Sequence, residues 1–188
     1  MEVPETDAHQ CVVGVTVPLP QPWASQVRVV RLDAGDPLAL SIPPHVTLVP
    51  PTAVASRRLP EVRAHVARVA GVTAPFLCEV GGAGSFRPVS PVAYLAVGDG
   101  AAELDALQAA LRASTGPLAG NLRFPFHPHL TLAHEVDDEA LDDALAAAEG
   151  IRGQFVVDCV RLDRMGDDGV WQQLNRSEER RVGKECRS

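Results

Sequence analysis

The 188-residue chain is 46% hydrophobic and carries a formal net charge of −7. Its length suits one well-buried domain or two small lobes that share a core. The acidic balance argues against a protein that coats duplex nucleic acid, because such binding depends on a basic surface. No apolar run approaches the roughly 18 residues that a membrane span requires, and the N-terminus lacks a signal-peptide pattern. We therefore expect a cytoplasmic protein that does not bind membranes.

The last thirteen residues, 176–188 (RSEERRVGKECRS), differ in composition from the rest of the chain. They contain Lys184, the only lysine, whereas residues 1–175 use arginine alone for fixed positive charge. The string resembles a translated sequencing adapter joined to a truncated reading frame. We therefore expect a non-native, disordered and dispensable tail, and we assign the folded domain to residues 1–175.

The first half of the chain alternates strands and helices. Apolar periodicity predicts, in order, strand 10–17, helix 23–32, strand 45–49, helix 59–70 and strand 76–80. We expect Pro50 and Pro51 to end the second strand, because proline cannot donate to a central ladder. The third strand is expected to run into a glycine-rich turn at Gly81, Gly82 and Gly84.

The second half repeats this order. The predicted elements are strand 92–97, helix 101–114, strand 128–133, helix 137–149, strand 154–162 and a last strand at 170–174. Leu104, Leu107 and Leu111 share one face of the first helix, and Asp137 is the expected N-cap of the second. The repetition predicts an internal duplication with lobes at about 10–90 and 91–175 and pseudo-twofold symmetry. The expected fold class is α+β.

A short motif stands at the start of the second strand of each half. His45-Val46-Thr47-Leu48 and His129-Leu130-Thr131-Leu132 share the pattern His-x-Thr-hydrophobic, and the two histidines are 84 residues apart. In a strand, residues i and i+2 point to the same face. Each strand is therefore expected to present one imidazole and one hydroxyl, with the apolar residues turned to the core.

This pair of motifs suits the opening of a phosphodiester. The reaction needs a base for the attacking water, an acid for the departing sugar oxygen and donors for the non-bridging oxygens. His45 and His129 can share the acid and base roles, and Thr47 and Thr131 can bind the phosphate. The scheme requires no metal and no cofactor.

Three segments carry a resemblance to a known family: IPPHVTLVPPT at 42–52, GAGSFRPVSPVAYLAV at 82–97 and FPFHPHLTLAH at 124–134. They resemble the two-histidine phosphoesterase superfamily, specifically its 2'-5' RNA ligases and RNA 2',3'-cyclic phosphodiesterases. The resemblance implies two antiparallel sheets that face a central cleft, with helices packed outside and strands exchanged between the lobes. It also implies catalytic roles for His45 and His129, phosphate binding by Thr47 and Thr131, and an RNA end or small cyclic nucleotide as substrate. We expect a monomer.

Other residues near the motifs are weaker candidates. Arg87 could reach a phosphate from the glycine-rich turn, and Phe86 could stack on a base. His127 shares a strand face with His129 and could orient it. The remaining histidines, His9, His65 and His134, are expected at the surface, and the acidic cluster at 137–143 fits a solvated helix start.

Three alternative functions stay open at this stage. A metallohydrolase could use His127, His129 and His134, although their spacing is not a standard zinc pattern. The same two-histidine site could act as a reversible 2'-5' RNA ligase. A catalytically silent module that binds phosphate or nucleotides is the third alternative.

Overall fold

The computed structural model describes residues 3–120 and 122–174, together with the backbone of 180–181. The strands are β1 (Gln10–Pro18), β2 (His45–Ala55), β3 (Phe76–Ser85), β4 (Val92–Val97), β5 (His129–His134), β6 (Arg152–Val157), β7 (Cys159–Met165), β8 (Trp171–Gln173) and β9 (Arg180–Arg181). The helices are α1 (Trp23–Asp33), α2 (Leu59–Val72), α3 (Ala101–Leu111) and α4 (Asp138–Ala148). The α+β class is confirmed.

The main strands form an antiparallel arrangement in the order β6-β3-β4-β5-β2-β1-β7-β8. Its two four-stranded halves meet where β2 and β5 pair at Val46 and Leu130. The halves do not follow the chain order, because β3 pairs with β4 and β6 while β7 pairs with β1. One half of the strand order thus takes β3 from the first half of the sequence, and the other half takes β7 and β8 from the second.

The helices cover the apolar face of the strands. Contacts of α3 with β2 and of α2 with β7 cover one half, and contacts of α4 with β3, β4 and β5 cover the other. The predicted apolar faces are buried: Leu104, Leu107 and Leu111 in α3, and Val62, Val66 and Val69 in α2. They pack with Val46, Leu48, Leu130 and Leu132 in a single core. The candidate functional residues lie on the opposite face of β2 and β5.

Two strands are longer than predicted. β2 continues through Pro50 and Pro51, because a register shift in its pairing with β1 lies opposite these prolines. β3 continues through Gly81 and Gly82 to Ser85, so the expected glycine-rich turn was wrong. A second register shift accommodates these glycines, and Gly82 has a positive φ of 76°. Glycine thus marks a bulge here and not the end of the strand.

The run predicted as one strand at 154–162 is two strands. β6 ends at Val157 and β7 begins at Cys159, with only Asp158 between them. β6 pairs with β3 at one end of the strand order, whereas β7 pairs with β1 near the other end. Because one residue bridges the two, the strand arrangement must curve so that its ends come close together. That curvature turns the two halves towards each other.

Two histidines expected at the surface are buried. The Nε2 of His65 lies 2.9 Å from the carbonyl oxygen of Leu111, in the contact between α2 and α3. The Nδ1 of His134 lies 3.2 Å from the carboxylate of Asp36. Both rings are structural groups that tie a helix or loop to its neighbour, and only His9 is exposed as predicted.

Three smaller features concern the helices and the C-terminal tail. No helix within the described residues is long and apolar enough to span a membrane. The tail at 176–188 lies outside the described residues except for the backbone of β9, which pairs with Cys159 and Val160 of β7. The expected N-cap is confirmed, since the Asp137 carboxylate accepts a hydrogen bond from the backbone N–H of Ala140.

Candidate active site

The two motifs come together at the bridge between β2 and β5. Val46 and Leu130 pair there and are buried, whereas the flanking His45, Thr47, His129 and Thr131 are all partly exposed on the opposite face. In an antiparallel pair, this register brings His45 beside Thr131 and Thr47 beside His129. Directly opposite side chains have Cβ atoms roughly 4.5–5.5 Å apart. One small surface therefore presents two imidazoles and two hydroxyls.

Each imidazole is held in the same way by the chain just before its motif. The Nδ1 of His45 lies 2.8 Å from the carbonyl oxygen of Pro43, and the Nδ1 of His129 lies 2.6 Å from that of His127. A carbonyl oxygen only accepts, so each Nδ1 must carry a proton and donate. Nε2 is then the nitrogen that gains or loses a proton. Both histidines are thus set to exchange protons through Nε2.

Burial makes both rings poor proton acceptors. It lowers the pKa of His45 to about 4, and the positive charges of Arg161 and Arg31 act in the same direction, while the bond to Pro43 opposes them. Burial also lowers the pKa of His129, again against its carbonyl bond, with a smaller effect from His127. Both are therefore neutral at pH 7 without ligand. A bound phosphate anion favours the charged form and raises both pKa values.

The surroundings of His129 are aromatic. The ring centroid of Phe86 is 4.9 Å from that of His129 and 4.3 Å from that of Tyr94, on which it stacks. Tyr94 contacts both His129 and His127. Phe86 is therefore brought to the site as the sequence suggested, and His127 is brought there as well. Tyr94, the only tyrosine, was missed, although its pairing partner on β5 is Thr131 of the motif.

Arg87 is directed away from the motif and towards α4. Its guanidinium pairs with the carboxylates of Asp138, at 3.2 Å, and Asp142. Its Nε also donates to the hydroxyl of Ser85. The structure therefore gives Arg87 two acidic partners on α4, and its hydrogen bonds do not include the four motif side chains. These partners belong to the acidic cluster that the sequence placed on a solvated helix face.

A cavity of about 220 Å³ opens beside His45 and Thr47. Its polar lining includes Thr16 of β1, Arg161 and Asp163 of β7, and Gln173 of β8. Trp171 forms part of its wall. Sequence reasoning missed all five. A signal was present, because Arg161 and Asp163 stand two apart in the run CVRLDRM and so share one strand face.

The three histidines proposed as metal ligands are not assembled. His127 and His129 stack with centroids 6.2 Å apart, but His134 is buried against Asp36. Across 3–120 and 122–174 there is no group of three His, Cys, Asp or Glu side chains placed to hold a metal ion.

The protein-family comparison covers most of the chain. The model of the 2'-5' RNA ligase superfamily matches residues 18–169. A protein of Halalkalibacterium halodurans named "Putative phosphoesterase BH1439" is 30% identical over 138 residues, which cover 72% of this chain and 79% of that protein. A similarly named protein of Bacillus cytotoxicus is 34% identical over 110 residues, 58% of this chain and 62% of its own length.

Solved structures share the fold. Apo LigT of E. coli superposes with a TM-score of 0.64 at 20% identity, covering 89% of this chain and 96% of LigT. TT0787 of Thermus thermophilus gives a TM-score of 0.62 at 21% identity, covering 93% of this chain and all of that one. The family match over 18–169 shows that the chain belongs to the 2'-5' RNA ligase superfamily, the two-histidine phosphoesterases.

Proposed function

We propose that this protein hydrolyses a 2',3'-cyclic phosphate, or a related 2'-5' phosphodiester, at an RNA end or on a nucleotide, without a metal ion. The observation that carries the proposal is the matched pair of imidazoles. Both are held through Nδ1 and face the same side of β2 and β5, with a threonine hydroxyl beside each. LigT, which shares the fold, has been solved with 3'-AMP and with phosphate. These ligands support a small nucleotide as the substrate.

The reaction needs one neutral and one protonated imidazole. The neutral Nε2 removes a proton from water, the resulting hydroxide attacks phosphorus, and the bond from phosphorus to one ribose oxygen breaks. The protonated Nε2 gives its proton to that leaving oxygen. Thr47 and Thr131 donate hydrogen bonds to the non-bridging oxygens, whose negative charge increases in the transition state.

The charges near each ring favour one assignment of the two roles. When only one of the two Nε2 atoms is protonated, the proton is more stable on the imidazole that has fewer cations nearby. Arg161 and Arg31 disfavour the charged form of His45, whereas no arginine acts in this way on His129. The proposal therefore gives His45 the role of the base that activates water, and His129 the role of the acid that protonates the leaving group.

Ligation is the second candidate, and the superfamily description favours it. If a 5'-hydroxyl replaces water as the nucleophile, its attack on the cyclic phosphate with loss of the 3'-oxygen gives a 2'-5' phosphodiester. The same two histidines would serve both reactions. Water and product concentrations then decide the direction.

A turnover screen tests the proposal. The substrates are 2',3'-cyclic nucleotides, 2'-5' dinucleotides and 3'-5' dinucleotides, each with and without EDTA. We expect turnover of the first class, or of the first two, and no loss with EDTA. Loss with the chelator and recovery with added zinc would show a metal-dependent enzyme. Binding of nucleotides without turnover of any substrate would show a silent binding module.

A further inference from the structure

Three polar side chains lie in a row across adjacent strands beside the first motif. Thr16 of β1 pairs with Thr47 of β2 on one side and with Arg161 of β7 on the other. Directly paired residues point to the same face, and all three line the cavity. With strands roughly 4.8 Å apart, Arg161 starts two strands, or roughly 10 Å, from Thr47. We refer to Thr47, Thr16 and Arg161 as the polar row.

Arg161 lines the cavity and uses only part of its hydrogen-bonding capacity within the protein. Its Nε donates to the carboxylate of Asp163 at 2.8 Å, and the side chain is 18% exposed. Among the described residues, the two terminal amino groups have no hydrogen-bond partner. Its charge also acts on His45. A planar guanidinium fixed at Nε can offer its remaining donors to a phosphate or carboxylate.

Thr16 adds a second unsatisfied group to the row. The residue is 8% exposed, and within 3–120 and 122–174 its buried hydroxyl finds no partner. A buried hydroxyl without a hydrogen bond is unfavourable, so an acceptor brought by a ligand would stabilise this site. Arg161 and Thr16 therefore both have donors that oxygen acceptors in this cavity can bind.

Trp171 provides a flat apolar wall at the other side of the cavity. Its ring packs over Gly14, where a Cβ would be 3.4 Å from the ring. The indole is partly exposed, and Gln173 lies two residues further along the same strand. An exposed aromatic face beside an anion site is the arrangement that proteins use to stack a nucleobase.

We infer that this cavity is the nucleoside subsite of the enzyme, in which Arg161 and Thr16 bind oxygens of the reacting phosphate and Trp171 stacks on the attached base. Asp163 is a positioning residue that fixes the guanidinium. The inference rests on the proposed function for the reacting phosphate, and it adds the side of the site on which the base lies. The aromatic cluster of Phe86, Tyr94 and His127 lies on the other side, beside His129.

Fluorescence tests the base contact without turnover. The chain has two tryptophans, so Trp23→Phe leaves Trp171 as the only indole. We expect 2'-AMP or 3'-AMP to quench its emission saturably, and inorganic phosphate to compete without quenching. Nucleotide binding seen by calorimetry with no change in emission would place the base elsewhere. No nucleotide binding at all would also overturn the subsite.

Steady-state kinetics separate the two contacts. The substrates are 2',3'-cyclic AMP and 1-O-methylribose 2',3'-cyclic phosphate, which has no base. Arg161→Gln should lower kcat/KM for both by about 10- to 100-fold, with partial recovery in Arg161→Lys, because one charge-assisted bond pair is lost. Trp171→Leu should lower it about tenfold for the nucleotide alone, and Trp171→Phe should restore it.

Two control variants separate the loss of the proposed contact from a general loss of folding or charge. Arg28→Gln, on the exposed face of α1, should leave both substrates unchanged. Arg161→Lys keeps a cation beside Asp163 and so guards against misfolding, which circular dichroism checks. Unchanged kcat/KM in folded Arg161→Gln, or equal losses on both substrates in Trp171→Leu, would overturn the inference. Quenching without turnover of any phosphodiester would instead sink the proposed function and leave the subsite standing.

Discussion

The two motif histidines occupy equivalent places in the fold and have different neighbours. His45 has Arg161 and Arg31 near it and opens on the cavity. His129 has Phe86 and Tyr94 against its ring. The backbone therefore repeats, together with the carbonyl bond at each Nδ1, while the side chains around it do not. The two motifs thus present two similarly held histidines with unequal surroundings.

This difference matters because acid–base catalysis by two histidines requires one neutral and one protonated imidazole. Two identical sites would share the proton equally, and half of the singly protonated molecules would hold it on the wrong ring. In the proposed mechanism, the positive charges of Arg161 and Arg31 beside His45 favour the proton on His129. Substitutions around the two rings remove or reverse parts of this difference.

The largest expected effect is the loss of either imidazole. His45→Ala and His129→Ala should each lower kcat by about 10²- to 10⁴-fold, because each removes one proton transfer. The double variant should lose far less than the product of the two, since the groups act as a unit. Rates on a 2',3'-cyclic nucleotide measure this, with circular dichroism as the check on folding. Near-normal activity in either folded single variant would refute the mechanism.

The low pKa of His45 should also make the fold sensitive to acid. An unfolded chain binds this proton near pH 6.5, whereas the folded protein binds it near pH 4. Between these values the unfolded state holds more protons, so stability falls as pH drops from 6.5 to 4. The contribution is at most roughly 3 kcal/mol. Urea unfolding at pH 7 and 4.5 should show a smaller loss in His45→Gln than in the wild type.

The threonines should have intermediate and similar effects. Thr47→Val and Thr131→Val each remove one hydrogen bond to the phosphate and leave both proton transfers in place. We expect kcat/KM to fall by about 10- to 100-fold, which corresponds to roughly 1.5–3 kcal/mol for a bond to a charged group. Thr→Ser at each position keeps the hydroxyl and is the matched control. A strongly unequal pair would show that the phosphate lies nearer one motif.

The motif and the order of elements could be predicted from the chain because they depend on local patterns. Alternation placed His45 and Thr47 on one face and Val46 and Leu48 on the other, and the partial exposure of the first pair fits it. The bounds of β3 could not be predicted, since glycines that usually mark a turn here sit in a bulge held by pairing with β4. That pairing is a long-range property.

The cavity residues were missed for a related reason. Thr16 and Arg161 are far apart in the chain and come together only because β7 crosses to pair with β1. The burial of His65 and His134 likewise depends on Leu111 and Asp36, which no local pattern connects to them. Periodicity predicts which face of its strand a side chain occupies. It does not predict which strand lies next to that strand.

The smallest expected effect concerns the cations that distinguish His45. Arg161→Gln removes a nearby positive charge, so the pKa of His45 should rise, while burial still holds it below 6.5. The pKa of His129 should stay unchanged, because Arg161 does not act on it. Histidine ring resonances in a pH titration by NMR measure both values in one sample of the ligand-free protein. Tyr94→Phe, which alters a ring in contact with His129 and His127, is the control and should leave the pKa of His45 unchanged. Equal movement of both histidines in Arg161→Gln would mean that the two rings share one environment, and the proposed division into base and acid would lose its physical basis.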